Sequence, residues 1–162
     1  MSQPRNATAG IRLGVIALVA AAAVVGLAVS SAAGGSAIVT SGDLTAFATS
    51  SDPGISGRAI MIRTGDDRTI VSVHVEGLAP RTAYGSHVHR QACADELADG
   101  HYQQLPAGGA APPNEIWPGF TTNAAGVGNG MASVDYLARP EAMSVVIHAP
   151  GGAKIACADL QP

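Results

Sequence analysis

Five histidines, His74, His87, His89, His101 and His148, are the residues of this 162-residue chain whose type and spacing point to chemistry. His87-Val88-His89 is an i, i+2 pair in a segment, Tyr84 to His89, that reads as a β-strand. Alternate strand residues point to the same face, so two imidazoles placed this way converge on one ion without loop rearrangement. Taken alone, such a pair reads equally well as polar surface. His101 follows in a Gly-rich stretch after Cys93, and His148 closes the run Ser-Val-Val-Ile-His just before a turn and Cys157. Imidazole suits copper, which heads the divalent affinity order and, when oxidised, favours tetragonal nitrogen coordination. His74 lies between Val73 and Val75 on the polar side of an alternating run and is expected to be a surface residue.

The elements that must position these side chains are strands. Gly57 to Thr64 reads as one strand, and Gly65-Asp66-Asp67 supplies the residue types of a tight turn. Thr69 to Glu76 alternates Val71, Val73 and Val75 with Ser72, His74 and Glu76, which predicts one dry and one wet face. Between Arg90 and Gly130 comes an irregular region with seven Gly and four Pro, and a loop that long inside a small domain is usually functional. Short strands resume at Met131 to Tyr136, Ser144 to His148 and Lys154 to Leu160, with turn chemistry at Arg139-Pro140 and Pro150-Gly151-Gly152. Nothing after residue 33 has sustained helical periodicity, so the expected fold class is all-β, with no internal repeat.

Residues 13–29 form an uncharged apolar run of 17 after Arg5 and Arg12, followed by small residues at 30–33. This reads as an export signal, cut after Ala32 or one residue later, or as an uncleaved helix at the lower edge of a spanning length. The expected organisation is a signal peptide or membrane anchor over 1–33, a Gly, Ser, Ala and Thr linker over 34–56 with one short strand near Leu44 to Ala48, and a folded domain over 57–162. Localisation is then extracytoplasmic, secreted or tethered through residues 13–29. In an oxidising compartment the two cysteines, Cys93 and Cys157, most simply form one disulfide; two buried thiols are the alternative. With 9 Lys and Arg against 12 Asp and Glu and no basic run, nucleic acid is not an expected partner. Aromatic bulk is scarce, and Trp117 with Phe120 is the one candidate aromatic cluster.

The order His-x-His, Cys, Gly-His-Tyr, Val-Val-Ile-His, Gly-Gly-Ala-Lys-Ile-Ala-Cys resembles the copper-zinc superoxide dismutases element by element, over about Gly57 to Leu160. The resemblance implies a Greek-key β-sandwich or barrel, copper ligation by His87, His89, His101 and His148, and a Cys93–Cys157 disulfide. It also implies superoxide as substrate and His101 as the residue that delivers a proton. Three departures qualify it. Zinc in the family needs two further His and an Asp after the shared histidine, and no His lies between His101 and His148, so one copper per chain and no zinc is the expectation. The second nitrogen of His101 then needs another partner; Glu115 is the best candidate, with Asp95 and Asp99 behind it, although an ordinary solvated glutamate is the alternative. Only eight residues separate His148 from Cys157, too few for a long loop over the copper, and Lys154 stands where the family places a substrate-guiding Arg. Lys keeps the charge and loses the rigid fork, or is simply a solvated surface Lys.

Two functions follow as expectations. One is an exported copper-only superoxide dismutase with His101 and Lys154 as catalytic residues. The other is a non-enzymatic copper-binding or copper-carrier protein on the same fold.

Overall fold

In the computed structural model, which describes residues 35–52 and 54–162, the alternating runs become eight strands. They are β1 (Ile38–Ala46), β2 (Ser56–Arg63), β3 (Thr69–Glu76), β4 (Ala83–His89), β5 (Phe120–Thr121), β6 (Gly128–Val134), β7 (Ser144–His148) and β8 (Lys154–Asp159). All pair antiparallel, in the order β5-β4-β7-β8-β1-β2-β3-β6. The two ends of that order come together. A Cβ on Gly130 of β6 would overlap the Pro118 carbonyl just ahead of β5, and one on Gly128 would overlap the Phe120 ring. The sheet is therefore a nearly closed barrel, which leaves little unpaired edge.

The period-2 pattern decides what faces inward. In β3, Val71, Val73 and Val75 are buried while His74 and Glu76 are exposed, as the alternation predicts. Ala59 and Met61 of β2, Val88 of β4, Val145 and Ile147 of β7, and Ala156 and Ala158 of β8 join them in one core. Burying the Val, Ile and Met side chains is worth about 1.5–3 kcal/mol each, so the barrel is held mainly by apolar area. His74 is a surface residue: its ring nitrogens meet Asn129 Oδ1 at 2.8 Å and Glu76 Oε1 at 3.2 Å.

Two expectations need correction. Residues 38–46 are not linker: β1 pairs with β2 over eight residues and with β8, so the folded unit begins well before residue 57. The run Ile-Val-Thr-Ser-Gly-Asp-Leu-Thr-Ala hides its strand character because small polar residues dilute it; Leu44 alone carries a large side chain fully into the core. Trp117 and Phe120 do not pair either. Phe120 stacks on Tyr84 at 5.9 Å inside the barrel, because β5 registers Phe120 opposite Tyr84, and Trp117 turns elsewhere. The strand β5 leaves no trace in the sequence, since two residues carry no period.

Among the described residues no helix is long and apolar enough to cross a membrane. The apolar run 13–29, on which the export-or-anchor expectation falls, lies outside them.

Candidate metal centre

The inward residues of β4 are Tyr84, Ser86 and Val88; its other face carries Gly85, His87 and His89. Register places Gly85 opposite His148 and His87 opposite Val146, so His148 joins the pair on the outer face of the barrel. The fourth histidine comes from the long loop, and Val88 is what fastens that loop. Its N–H donates to the Ile116 carbonyl at 3.0 Å, and its carbonyl accepts from the Tyr102 N–H at 2.8 Å. Both loop segments are thus hooked to the one residue between His87 and His89, and His101 bridges to His89.

One nitrogen from each of His87, His89, His101 and His148 lies within 4.8 Å of the others. The four histidines form a group that can hold a metal ion. His89 and His148 are buried, at 0% and 7% exposure, and His87 and His101 are half-buried.

The hydrogen bonds fix the tautomers. His89 Nδ1 lies 3.1 Å from the Asp99 carbonyl and 3.3 Å from that of Ala98, and His148 Nδ1 lies 3.0 Å from the Gly152 carbonyl. Carbonyls only accept, so both Nδ1 atoms carry the hydrogen and both neutral rings present a bare Nε2. Those two Nε2 atoms face each other at 3.2 Å. Two lone pairs at that separation need a proton or a cation between them. His101 Nδ1 donates to Glu115 Oε2 at 2.6 Å, which frees its own Nε2. His87 Nδ1 is buried with no partner of any kind, an orphan of a type that folded proteins rarely leave unexplained. Three rings oriented through Nδ1 and a fourth with a dry, unpaired Nδ1 fit a nitrogen-ligated metal ion.

Electrostatics keeps the rings in the ligating form. Burial, followed by the charges of His101 and His148, lowers the His87 pKa to about 4, and burial with the same neighbours and Lys154 lowers His89 to about 3. His148 is lowered chiefly by burial, against the Gly152 hydrogen bond. Neutral imidazole is what a metal requires.

Glu115 is the carboxylate at His101. Its side chain is 1% exposed, and it accepts from His101 Nδ1 and Trp117 Nε1 (2.7 Å) on one oxygen and from Gln103 Nε2 (2.9 Å) on the other. Burial works to raise its pKa, but these three donors outweigh it and hold the carboxyl below its ordinary value. Asp95 and Asp99 are not at His101: Asp95 is exposed, and the Asp99 carboxylate pairs with Arg90. It is the Asp99 carbonyl that matters, and sequence reading has no handle on a carbonyl.

The loop that carries this carbonyl is unusual. Glu96, Leu97, Ala98 and Asp99 have φ of 48, 55, 66 and 46°, left-handed backbone that non-glycine residues adopt only at a cost. Lys154 braces it: Nζ donates to the Leu97 carbonyl at 2.8 Å and the Asp99 carbonyl at 2.5 Å. Asp99 O therefore serves both Lys154 and His89. Beneath the loop, Cys93 and Cys157 form a disulfide, packed with Ala98, Val146 and Phe47.

A cleft of about 510 Å³ lined by residues such as Arg63, Leu137, Met143 and Leu160 contains none of the four histidines. Its apolar walls hold no convergent set of ligating groups, so the histidine cluster is the site with chemistry. Sequence reading missed Trp117 and Gln103 as partners of Glu115; the adjacency Glu-Ile-Trp was the available signal, since i, i+2 residues of an extended segment share a side. The chain matches no known family model and no curated protein.

Proposed function

We propose that the protein is an exported copper-dependent superoxide dismutase-like protein working at a copper-only site on a fold of the copper-zinc superoxide dismutase type. The observation that carries the reading is the convergence of four imidazoles, each with a nitrogen within 4.8 Å of the others, with His89 Nε2 facing His148 Nε2 and His87 Nδ1 left without a partner. An all-nitrogen set of imidazoles favours copper over harder ions and over thiolate-bound metals. The disulfide agrees with an oxidising compartment.

When bound there, copper supplies the one-electron couple that takes one superoxide to dioxygen and a second, with two protons, to hydrogen peroxide. The chain supplies the rest. His89 and His148 hold fixed positions because their Nδ1 atoms are tied to backbone carbonyls. His101 is the ring suited to hold and yield a proton at Nε2, since it is half-buried and its Nδ1 stays on the ionised Glu115. In two-metal members of the family the corresponding ring bridges to zinc; here a buried carboxylate takes that side. Lys154 keeps a positive charge near His89 and His148, favourable to an anionic substrate.

A second reading, a copper carrier, is favoured by one observation: the Lys154 ammonium is engaged by two carbonyls and is less free to meet an incoming anion. Superoxide decay followed by stopped flow on copper-loaded protein separates the two. A dismutase accelerates decay in proportion to copper-loaded protein, with a rate that falls as salt rises. A carrier leaves decay at the rate of the metal-free protein.

A further inference from the structure

Trp117 is the only tryptophan of the chain and is 39% exposed. It belongs to neither apolar cluster, so core packing does not account for it. Nor is it a loose surface residue. Ile116 before it is pinned by its carbonyl to the Val88 N–H. Pro118 after it is buried, with its carbonyl against Gly130. The indole N–H donates to the buried Glu115 at 2.7 Å. With backbone and side chain both anchored, the ring is held 5.0 Å from the His87 ring at an interplanar angle of 52°.

Its place relative to solvent gives the ring a role. His89 and His148 are buried, whereas His87 and His101 are half-buried, so those two rings are the solvent-facing members of the cluster. Trp117 stands beside both: it packs on His87 directly, and it shares Glu115 Oε2 with His101. The turn at Ala149–Ala153 is too short to provide a cover of its own, since it closes directly with a hydrogen bond between the two residues at its ends. Among the described residues, the indole is the exposed aromatic plate that stands beside both solvent-facing rings.

We propose that Trp117 is a specificity-determining residue at the mouth of the histidine cluster, a fixed indole screen that admits diatomic and triatomic anions to the metal position and keeps bulky ligands from it. This rests on the metal-site reading and deepens it. An immobile wall discriminates by size because a small anion passes beside the ring, whereas a chelator must wrap several ligands around the ion and needs the space the indole occupies. The same side chain, through its N–H, helps hold Glu115 on His101.

The test uses the copper-loaded full chain with two probes: EDTA, to measure the rate of copper extraction, and azide, to measure binding of a small anion by its absorption band. Two variants separate the plate from the N–H. Trp117→Phe keeps an aromatic wall and loses the donor; Trp117→Ala loses both. The expected result is extraction about tenfold faster in Trp117→Ala, azide affinity within about twofold of wild type, and slow extraction retained in Trp117→Phe. Extraction from Trp117→Ala at the wild-type rate overturns the proposal. So does a parallel rise in extraction and azide affinity, which would mean a loosened cluster and not a lost screen. If Trp117→Ala does not fold, Trp117→Phe and Trp117→Leu carry the comparison, with Leu expected to extract faster than Phe and equality counting against the screen. Wild-type protein that retains no copper before any chelator is added overturns the metal reading itself, an outcome distinct from copper-loaded variants that all behave alike.

Discussion

His101 Nδ1 donates to Glu115 Oε2 over 2.6 Å, and the accepting carboxylate is almost wholly buried, at 1% exposure. A charge removed from water at this depth persists only because three donors meet it, and the ring it holds is thereby turned to offer Nε2 to the cluster. Glu115→Gln keeps the shape, removes the charge and forces an amide against at least one of those donors. Copper affinity is expected to fall by about 10–100-fold. Competition titration against a chelator of known affinity measures it, and an unchanged affinity would show that the carboxylate does not orient the ligand.

Lys154 braces the loop whose Asp99 carbonyl orients His89. Its ammonium joins the Leu97 and Asp99 carbonyls, and Asp99 O also receives His89 Nδ1. Each left-handed non-glycine residue of that loop costs on the order of 1 kcal/mol, so removing the brace should release it. Lys154→Ala is predicted to speed amide exchange at Glu96 to Asp99 and weaken copper binding, and Lys154→Arg to restore both through its several donors. Unchanged exchange in Lys154→Ala contradicts the bracing role.

The Cys93–Cys157 disulfide spans a sequence separation of 64 and joins the start of that loop to β8. Loop-closure entropy predicts that reduction costs about 4 kcal/mol of stability. Guanidinium unfolding with and without reductant measures this. Equal midpoints would mean that the reduced unfolded chain is already constrained in some other way.

The histidine cluster makes the metal-free protein acid-sensitive. The folded pKa values of His87 and His89, about 4 and about 3, lie below the ordinary histidine value of 6.5 that the unfolded chain has. The unfolded state therefore takes up protons first as pH falls, and stability that is complete above about 6.5 declines below it. The rings face His101, His148, Lys154 and Glu115, and Glu115, like Asp99, is held below the ordinary carboxylate value and so stays ionised across the range in which free histidine titrates. Between about pH 6.5 and 5 the decline thus belongs to the histidines. Urea midpoints across that interval should drop in metal-free protein, and a flat profile would contradict the burial of neutral rings.

Much of this architecture was legible in residue order. The Val71, Val73, Val75 alternation marked β3, and His87-Val88-His89 marked a shared face, because both depend only on the strand period. The pairing of Cys93 with Cys157 and the place of Glu115 beside His101 also match expectation. What failed was β1, where Gly, Ser and Thr obscure a strand whose partners are remote in sequence. The partners of the histidine Nδ1 atoms were equally hidden: the Asp99 and Gly152 carbonyls belong to the backbone, and every residue has one. Trp117 stood out by rarity, but Phe120 drew it to the wrong neighbour, since only the β4–β5 register shows that Phe120 goes inward with Tyr84.

The central claim, one copper held by four imidazoles and no separate zinc site, is tested most directly by titrating the metal-free protein with Cu(II) in the presence of equal Zn(II), followed by Trp117 emission and closed by elemental analysis. With the indole 5.0 Å from His87, emission should be quenched linearly and break at one equivalent, leaving one copper and no zinc per chain. An absent break, or a zinc retained in addition to the copper, would contradict it.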